Sequence, residues 1–247
     1  MSEQQRLDIG GVIGETFRTY GAQAGLILGA AFIIFLPIAI IDGFIENQGG
    51  FLLGLVGSIV SIVGTYWFQG MVVQAVRDIQ DGRRDFSLGE LFSSVQNVVG
   101  TLIVVGILAG IGIAIGLVLL IVPGLILLTI WAVVGPAVVI DRPGVFGAFR
   151  RSRELVRGHG WAVFAVIVFF FILIAIGRGL IAALAGTISE TVVGYAVASL
   201  VGNLLLAPLG ALAASVLYFH LRRLHGEPDV PATAEYEPRR AESSSGL

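Results

Sequence analysis

Four arginines crowd one short segment of the chain and form its most pronounced group of functional side chains. They are Arg150, Arg151, Arg153 and Arg157. Guanidinium groups form paired hydrogen bonds with phosphate, so this segment predicts contacts with anionic lipid headgroups. The alternative is that these arginines only orient the chain, because basic loops stay on the cytoplasmic side of a membrane.

Two further polar residues, Arg178 and Asn203, interrupt long apolar stretches. We expect Arg178 near the outer end of its stretch, where it either reaches the membrane surface or pairs with Glu190, Asp42 or Glu46. Asn203 either hydrogen-bonds to another helix or lines a small cavity. Helix packing is the favoured interpretation, because one amide defines no substrate pathway.

Residue types that serve catalysis or metal binding form no recognisable motif in the sequence. The chain has no cysteine and only three histidines, which leaves little material for a metal site. It contains no HExxH, GxSxG or Walker A motif and no dinucleotide fingerprint. We therefore predict no catalytic residue, metal or cofactor. A membrane-embedded hydrolase would need a clustered acid, base or nucleophile.

Composition places the chain in a membrane. Of its 247 residues, 56% are hydrophobic and 13% are charged, and the mean hydropathy is +0.92. A disordered chain, a collagen-like chain and a disulfide-stapled secreted module are excluded. We expect membrane lipids as partners and no nucleic acid, and we leave open a second copy of the chain or another membrane protein.

Six apolar stretches predict six transmembrane helices, because about 20 helical residues cross a hydrocarbon core of about 30 Å. The stretches are 24–41, 51–76, 98–122, 125–140, 161–186 and 192–219. Residues 98–140 carry no charge, so we predict a hairpin of two spans that turns at Pro123 and Gly124. The predicted fold class is an all-α, polytopic membrane protein.

Three short segments before the first, third and fifth spans predict helices that lie at the cytoplasmic membrane surface. The first belongs to an N-terminal arm, residues 1–23. The second begins at Ser87, whose spacing from Glu90 is that of a capping box. The third runs from Gly144 to Gly158 and has an arginine face. Its apolar face consists of Val145, Phe149, Ser152 and Val156.

Pairs of glycines eleven residues apart precede the same three spans. They are Gly10 and Gly21, Gly89 and Gly100, and Gly147 and Gly158. The spacing suggests three repeated units, each consisting of one surface helix and two spans. The alternative is chance, since the chain has 34 glycines.

Arginine placement predicts the sidedness of the protein. All basic residues are arginine, and fourteen of the fifteen fall in the N-terminal arm, the second and fourth loops and the tail. Basic loops stay in the cytoplasm, so we expect both termini there. The absence of lysine suggests a GC-rich bacterial genome, hence a bacterial plasma membrane. The expected parts are the arm 1–23, a membrane domain 24–221 and a disordered tail 222–247.

Residues Pro123 to Phe164, together with the opening LDIGGVIGETFRTY, resemble the membrane-domain family associated with glycerophosphoryl diester phosphodiesterases. The shared features are Pro123-Gly124, Pro136, Asp141, Ala148, Arg151-Ser152, Leu155, Gly158 and Trp161. Asp141 stands where the family commonly has glutamate. Hydrolytic family members carry a separate soluble barrel, and the 28 residues after Phe219 lack its metal-binding residues. The resemblance therefore implies the membrane domain without the enzyme.

These features together predict a non-enzymatic integral membrane protein concerned with lipid or cell-envelope organisation. The alternative is a small-solute transporter or channel. A transporter should contain a continuous polar cavity at mid-depth, whereas a scaffold should have a dry interior packed with small residues.

Overall fold

The computed structural model describes residues 7–48, 50–81, 87–188 and 192–227, and within these ranges it contains helices and no strand. The helices are α1 (Ile9–Ala22), α2 (Ala24–Gln48), α3 (Phe51–Gln80), α4 (Leu88–Val95), α5 (Val99–Leu119), α6 (Ile121–Ile130), α7 (Val134–Ile140), α8 (Gly144–Val156), α9 (Gly160–Ile188) and α10 (Val192–Leu224). The predicted all-α fold class is confirmed.

Six helical segments are long and apolar enough to cross a membrane. They are Ala24–Ile41, Leu52–Gln80, Val99–Leu119, Ile121–Ile140, Gly160–Gly186 and Val197–Leu224. The fourth combines α6 and α7, and the others lie within α2, α3, α5, α9 and α10. The chain is therefore a multi-pass membrane protein by the length and composition of its helices.

The order of elements repeats three times along the chain. A short helix precedes two long apolar segments in each unit: α1 precedes α2 and α3, α4 precedes α5 and α6–α7, and α8 precedes α9 and α10. The predicted capping box begins α4. The Ser87 hydroxyl accepts from the Glu90 amide and the Glu90 carboxylate accepts from the Ser87 amide, both at 3.2 Å.

The core lies in the half of the bundle that carries the three short helices. α10 is its central element and packs against α1, α2, α3, α7, α8 and α9. Residues 70–76 of α3 and 133–139, which include most of α7, are buried on every face. A helix buried all round is surrounded by protein. At the other end of α3 the side chain of Leu52 is 75% exposed, as expected for contact with lipid.

The hairpin turn lies earlier than predicted. Leu120 has extended backbone angles and separates α5 from α6, so the turn precedes Pro123 and Gly124. Pro123 falls in the first turn of α6, where a missing N–H costs no intrahelical hydrogen bond. Gly124 packs against Gly116, whose Cβ, if present, would lie 2.9 Å from the Gly124 Cα. Pro123 therefore suits the start of α6, and Gly124 allows α5 and α6 to pack closely.

The predicted fourth span is not one continuous helix. α6 ends at Ile130 and α7 begins at Val134, with a turn at residues 131–133. Pro136 lies in the first turn of α7 and cannot donate to the carbonyl of Ala132, which favours a helix end at this point. The break places the start of α7 inside the core.

The boundary of the tail also lies later than residue 222. α10 continues to Leu224, and the side chain of Arg222 is buried within the fold. Glu227 forms ion pairs with Arg151 and Arg222. The rest of the predicted disordered tail, residues 228–247, lies outside the described residues.

Candidate functional site

α8 has the two faces that its sequence predicts. The buried face consists of Ala148, Ser152, Leu155 and Val156, and the predicted Val145 and Phe149 are partly buried beside it. The opposite face consists of Phe146, Arg150, Arg153 and Arg157, all of them exposed. Phe146, Arg150 and Arg153 follow the spacing of a single helix face, and Arg157 is the residue directly after the last residue of α8. α8 therefore presents three arginines and one aromatic ring on the outside of the protein.

Two glycines at its ends set the direction of α8. Gly144, the first residue of α8, has φ +75°, and Gly158, two residues after the last residue of α8, has φ +91°. Residues with a Cβ adopt this left-handed region only at an energetic cost, whereas glycine adopts it without that cost. Gly158 lets the chain leave α8 and begin α9 only two residues later.

α8 packs against the break between α6 and α7. The Ser152 hydroxyl donates to the Ile130 carbonyl at 2.8 Å, which satisfies an acceptor at the end of α6. The rings of Phe149 and Trp131 meet edge to face with centroids 4.9 Å apart. The middle of α8 therefore lies beside the end of α6.

Arg151 faces the protein's own carboxylates. Its Nε lies 2.7 Å from the Asp141 carboxylate at the end of α7, and its Nη2 contacts the Glu227 carboxylate. Glu227 also accepts from the Nε of Arg222 at 2.9 Å, and the Arg222 guanidinium lies 5.8 Å from the ring centre of Tyr218. We call Asp141, Arg151, Arg222 and Glu227 the Arg151 cluster. It joins α7, α8 and the end of α10.

The contact between Arg151 and Glu227 stabilises the charged forms of both side chains. The hydrogen bond with Glu227 raises the pKa of Arg151, with a further contribution from Asp141 and opposition from desolvation. The hydrogen bond from Arg151 lowers the pKa of Glu227, desolvation opposes this, and Arg222 lowers it further. Arg151 and Glu227 therefore favour their charged forms, and their ion pair connects α8 to the segment that follows α10.

The lowered pKa of Glu227 predicts a loss of stability in acid. A carboxyl whose pKa is lower in the folded state contributes stability above its unfolded value, here 4.5, and loses it as the pH falls through the folded value. We expect the wild type to unfold at a higher temperature than Glu227→Gln at pH 7 in detergent, and the difference to shrink below about pH 4. A difference that stays constant from pH 7 to pH 3 would refute this role for Glu227.

The three other predicted lipid-contacting arginines are open to the surroundings. The Arg150 side chain is 79% exposed and lies 3.8 Å from the Glu154 carboxylate, a weak pairing at an exposed site. Arg153 and Arg157 are also exposed. The four arginines grouped by sequence thus divide into one that is partly buried against Asp141 and Glu227 and three that are exposed.

The structure brings the two predicted intramembrane polar residues together. Arg178 Nη2 donates to Asn203 Oδ1 at 3.4 Å, which links α9 to α10. Hydrogen bonding to another helix is the packing role predicted for Asn203. The carboxylates suggested as partners of Arg178 lie outside the described side chains.

An apolar groove of about 1110 Å³ lies between α6 and the start of α9. Residues of α6 between Val122 and Ile130 form one wall, and residues 158–164 form another. His159 is one of its few polar residues, and its ring centre lies 6.1 Å from that of His225. Burial lowers the pKa of His159, and the neighbouring His225 lowers it further. A neutral imidazole suits an apolar surface.

The Arg151 cluster is the part of the site that sequence reasoning missed. The sequence places Arg222 and Glu227 in a predicted disordered tail, and the five-residue separation between them gives no recognisable signal. Within the described ranges, no group of three His, Asp or Glu side chains is placed to hold a metal ion.

Comparison of the chain with known protein families, curated proteins and solved structures gives no significant match.

Proposed function

We propose that this chain is a non-enzymatic membrane protein that binds anionic lipid through the exposed face of α8 and contributes to lipid or cell-envelope organisation. The observation that carries the proposal is the shared face of Phe146, Arg150, Arg153 and Arg157. An aromatic ring and several guanidiniums on one face of a surface helix suit the boundary between headgroups and acyl chains.

The arrangement of α8 supports this function over a purely structural use of the arginines. Arg151 alone already joins α8 to α7 and α10, so the exposed three are not needed for that connection. The arginine distribution along the chain supports both termini in the cytoplasm, and the absence of lysine supports a bacterial plasma membrane. The resemblance to the phosphodiesterase-associated membrane domain supports a role at lipid.

A small-solute transporter or channel is the alternative, and it requires a polar cavity. The groove between α6 and α9 is walled mainly by aliphatic and aromatic side chains. Such walls suit an acyl chain better than a polar solute. We therefore propose lipid as the ligand class.

The proposal predicts selectivity of the full-length protein for anionic lipid. In vesicles of phosphatidylcholine with a small fraction of spin-labelled lipid, labelled phosphatidylglycerol should be immobilised at the protein more than labelled phosphatidylcholine. Changing Arg150, Arg153 and Arg157 to glutamine should remove most of this preference, since each basic residue contributes about 1 kcal/mol near a charged surface. High salt should weaken the preference of the wild type.

The matching variant with three lysines separates charge from guanidinium geometry. If general electrostatic attraction is responsible, lysine should preserve the preference; if paired hydrogen bonds to phosphate are responsible, lysine should lower it. Equal selectivity of the wild type and the glutamine variant would contradict the proposal.

A further inference from the structure

We propose that the α5–α6 hairpin enters the membrane from the side on which α8 lies and turns within the hydrocarbon core without crossing it. Its tip, residues 118–122, would then contact the acyl chains of the leaflet nearest α8. This inference goes beyond lipid selectivity. It depends only on α8 lying at a membrane surface, whichever side that is.

The first step is the depth of α8. Arg150, Arg153 and Arg157 are exposed on its outer face, and charged side chains are costly at the bilayer centre. α8 therefore lies at the headgroup level. The hydrogen bond between Ser152 and the Ile130 carbonyl, 2.8 Å long, places the end of α6 at the same level.

The second step is the length of α6. It has 10 residues, which rise about 15 Å, whereas the hydrocarbon core is about 30 Å thick. Since α6 runs from the tip to Ile130 beside α8, the tip can reach only about the middle of the bilayer.

The third step is the chemistry of the tip. Val118, Leu119, Leu120, Ile121 and Val122 are 66–87% exposed. All five are aliphatic, whereas a turn that emerged into water would favour polar residues. The tip therefore matches a hydrocarbon surrounding.

The backbone of the tip is also suited to low polarity. The Leu120 amide donates to the Gly116 carbonyl at 3.0 Å, and the Gly124 amide donates to the Leu120 carbonyl at 3.4 Å. Pro123 has no amide hydrogen to satisfy. These features reduce the number of unpaired donors where water is scarce.

The groove provides an independent constraint on where the tip lies. Val122, at the tip, and Trp161, in the first turn of α9, line the same groove. α9 begins four residues after the end of α8, so this turn lies at the surface end of α9. A tip that reached the far side of the bilayer would lie beside the other end of α9, near Leu184.

This topology agrees with the arginine distribution, because both ends of the hairpin remain on one side of the membrane. Four helices, α2, α3, α9 and α10, then cross the bilayer. The middle unit of the threefold element order differs from the other two by having a hairpin that turns back.

The depth of spin labels along α5 tests the proposal. The chain has no cysteine, so single cysteines can be labelled in full-length protein reconstituted into phospholipid vesicles, and depth follows from accessibility to oxygen and to a polar nickel complex. The sites are Val104, Leu108, Ile111, Ile115 and Val118, all exposed. A label at Val118 should lie roughly 15 Å deeper than one at Leu108.

A hairpin that crosses the bilayer would reverse this order of depths. Leu108 and Ile111 would lie deepest, and Val118 would approach water on the far side. That outcome would overturn the proposal, whatever the lipid selectivity of α8. The control series on α9 consists of Phe169, Ile172, Ile176, Leu180 and Leu184, all exposed. Because α9 begins at the surface at Gly160, depth in this series should be greatest at Phe169 and Ile172 and should fall toward Leu184, as in a helix that crosses the bilayer.

Discussion

Replacing Arg151 by glutamine is expected to lower the free energy of unfolding by about 3 kcal/mol, because the change leaves the carboxylates of Asp141 and Glu227 without their shared cation. The Arg151 side chain is only 22% exposed, so water compensates poorly for the lost pairs. Chemical denaturation in detergent micelles, followed by circular dichroism, measures the difference.

Arg150→Gln provides the matched control one residue away. Arg150 is 79% exposed and has a single distant carboxylate partner, so its replacement should cost less than about 0.5 kcal/mol. If the two variants lose the same stability, the Arg151 cluster does not hold α7, α8 and α10 together. The double variant with Glu227→Gln should lose less than the sum of the two single changes, because both remove the same ion pair.

Replacing Gly116 by alanine should destabilise the protein by roughly 1–3 kcal/mol, because the new methyl group would meet backbone atoms that have no rotamer to adopt. A Cβ at this position would lie 2.9 Å from the Gly124 Cα and 3.1 Å from its nitrogen. We expect α5 and α6 to separate slightly and the melting temperature in detergent to fall.

Gly110→Ala, on the same helix, should instead increase the stability of the protein. Among the described residues, no atom outside the local backbone of α5 and the two neighbouring residues lies within 4 Å of a Cβ built at Gly110. Alanine in a helix is favoured over glycine by about 0.5–1 kcal/mol. Each of the two glycines stands four residues after another glycine, Gly106 before Gly110 and Gly112 before Gly116. A loss of stability in Gly110→Ala equal to that in Gly116→Ala would show that the close approach of α5 and α6 does not decide the effect of the added methyl group.

Local patterns in the sequence predicted the elements well. The apolar stretches indicated the long helices because about 20 residues are needed to cross a bilayer. Ser87 and Glu90 indicated the start of α4, and the alternation of arginine with apolar residues indicated the two faces of α8. Each of these signals lies within one turn or one face of a helix, so it can be read without knowing the tertiary fold.

Features that depend on distant residues could not be predicted in the same way. The turn was placed at Pro123 because Pro-Gly pairs commonly mark turns, yet proline also suits the first turn of a helix. The break after Ile130 has no local signal, because the Ile130 carbonyl accepts a hydrogen bond from Ser152, which is 22 residues away. Arg151 was assigned to lipid because its carboxylate partner, Glu227, is 76 residues away.

These distances along the chain also order the events of biosynthesis. At about 5–20 residues per second, Ser152 is translated roughly 1–4 s after Ile130, so the end of α6 is synthesised before the residue whose hydroxyl caps it. Glu227 is translated roughly 4–15 s after Arg151. The guanidinium of Arg151 therefore has Asp141 as its first available carboxylate, and the final ion pair closes only after all six apolar helical segments have been synthesised.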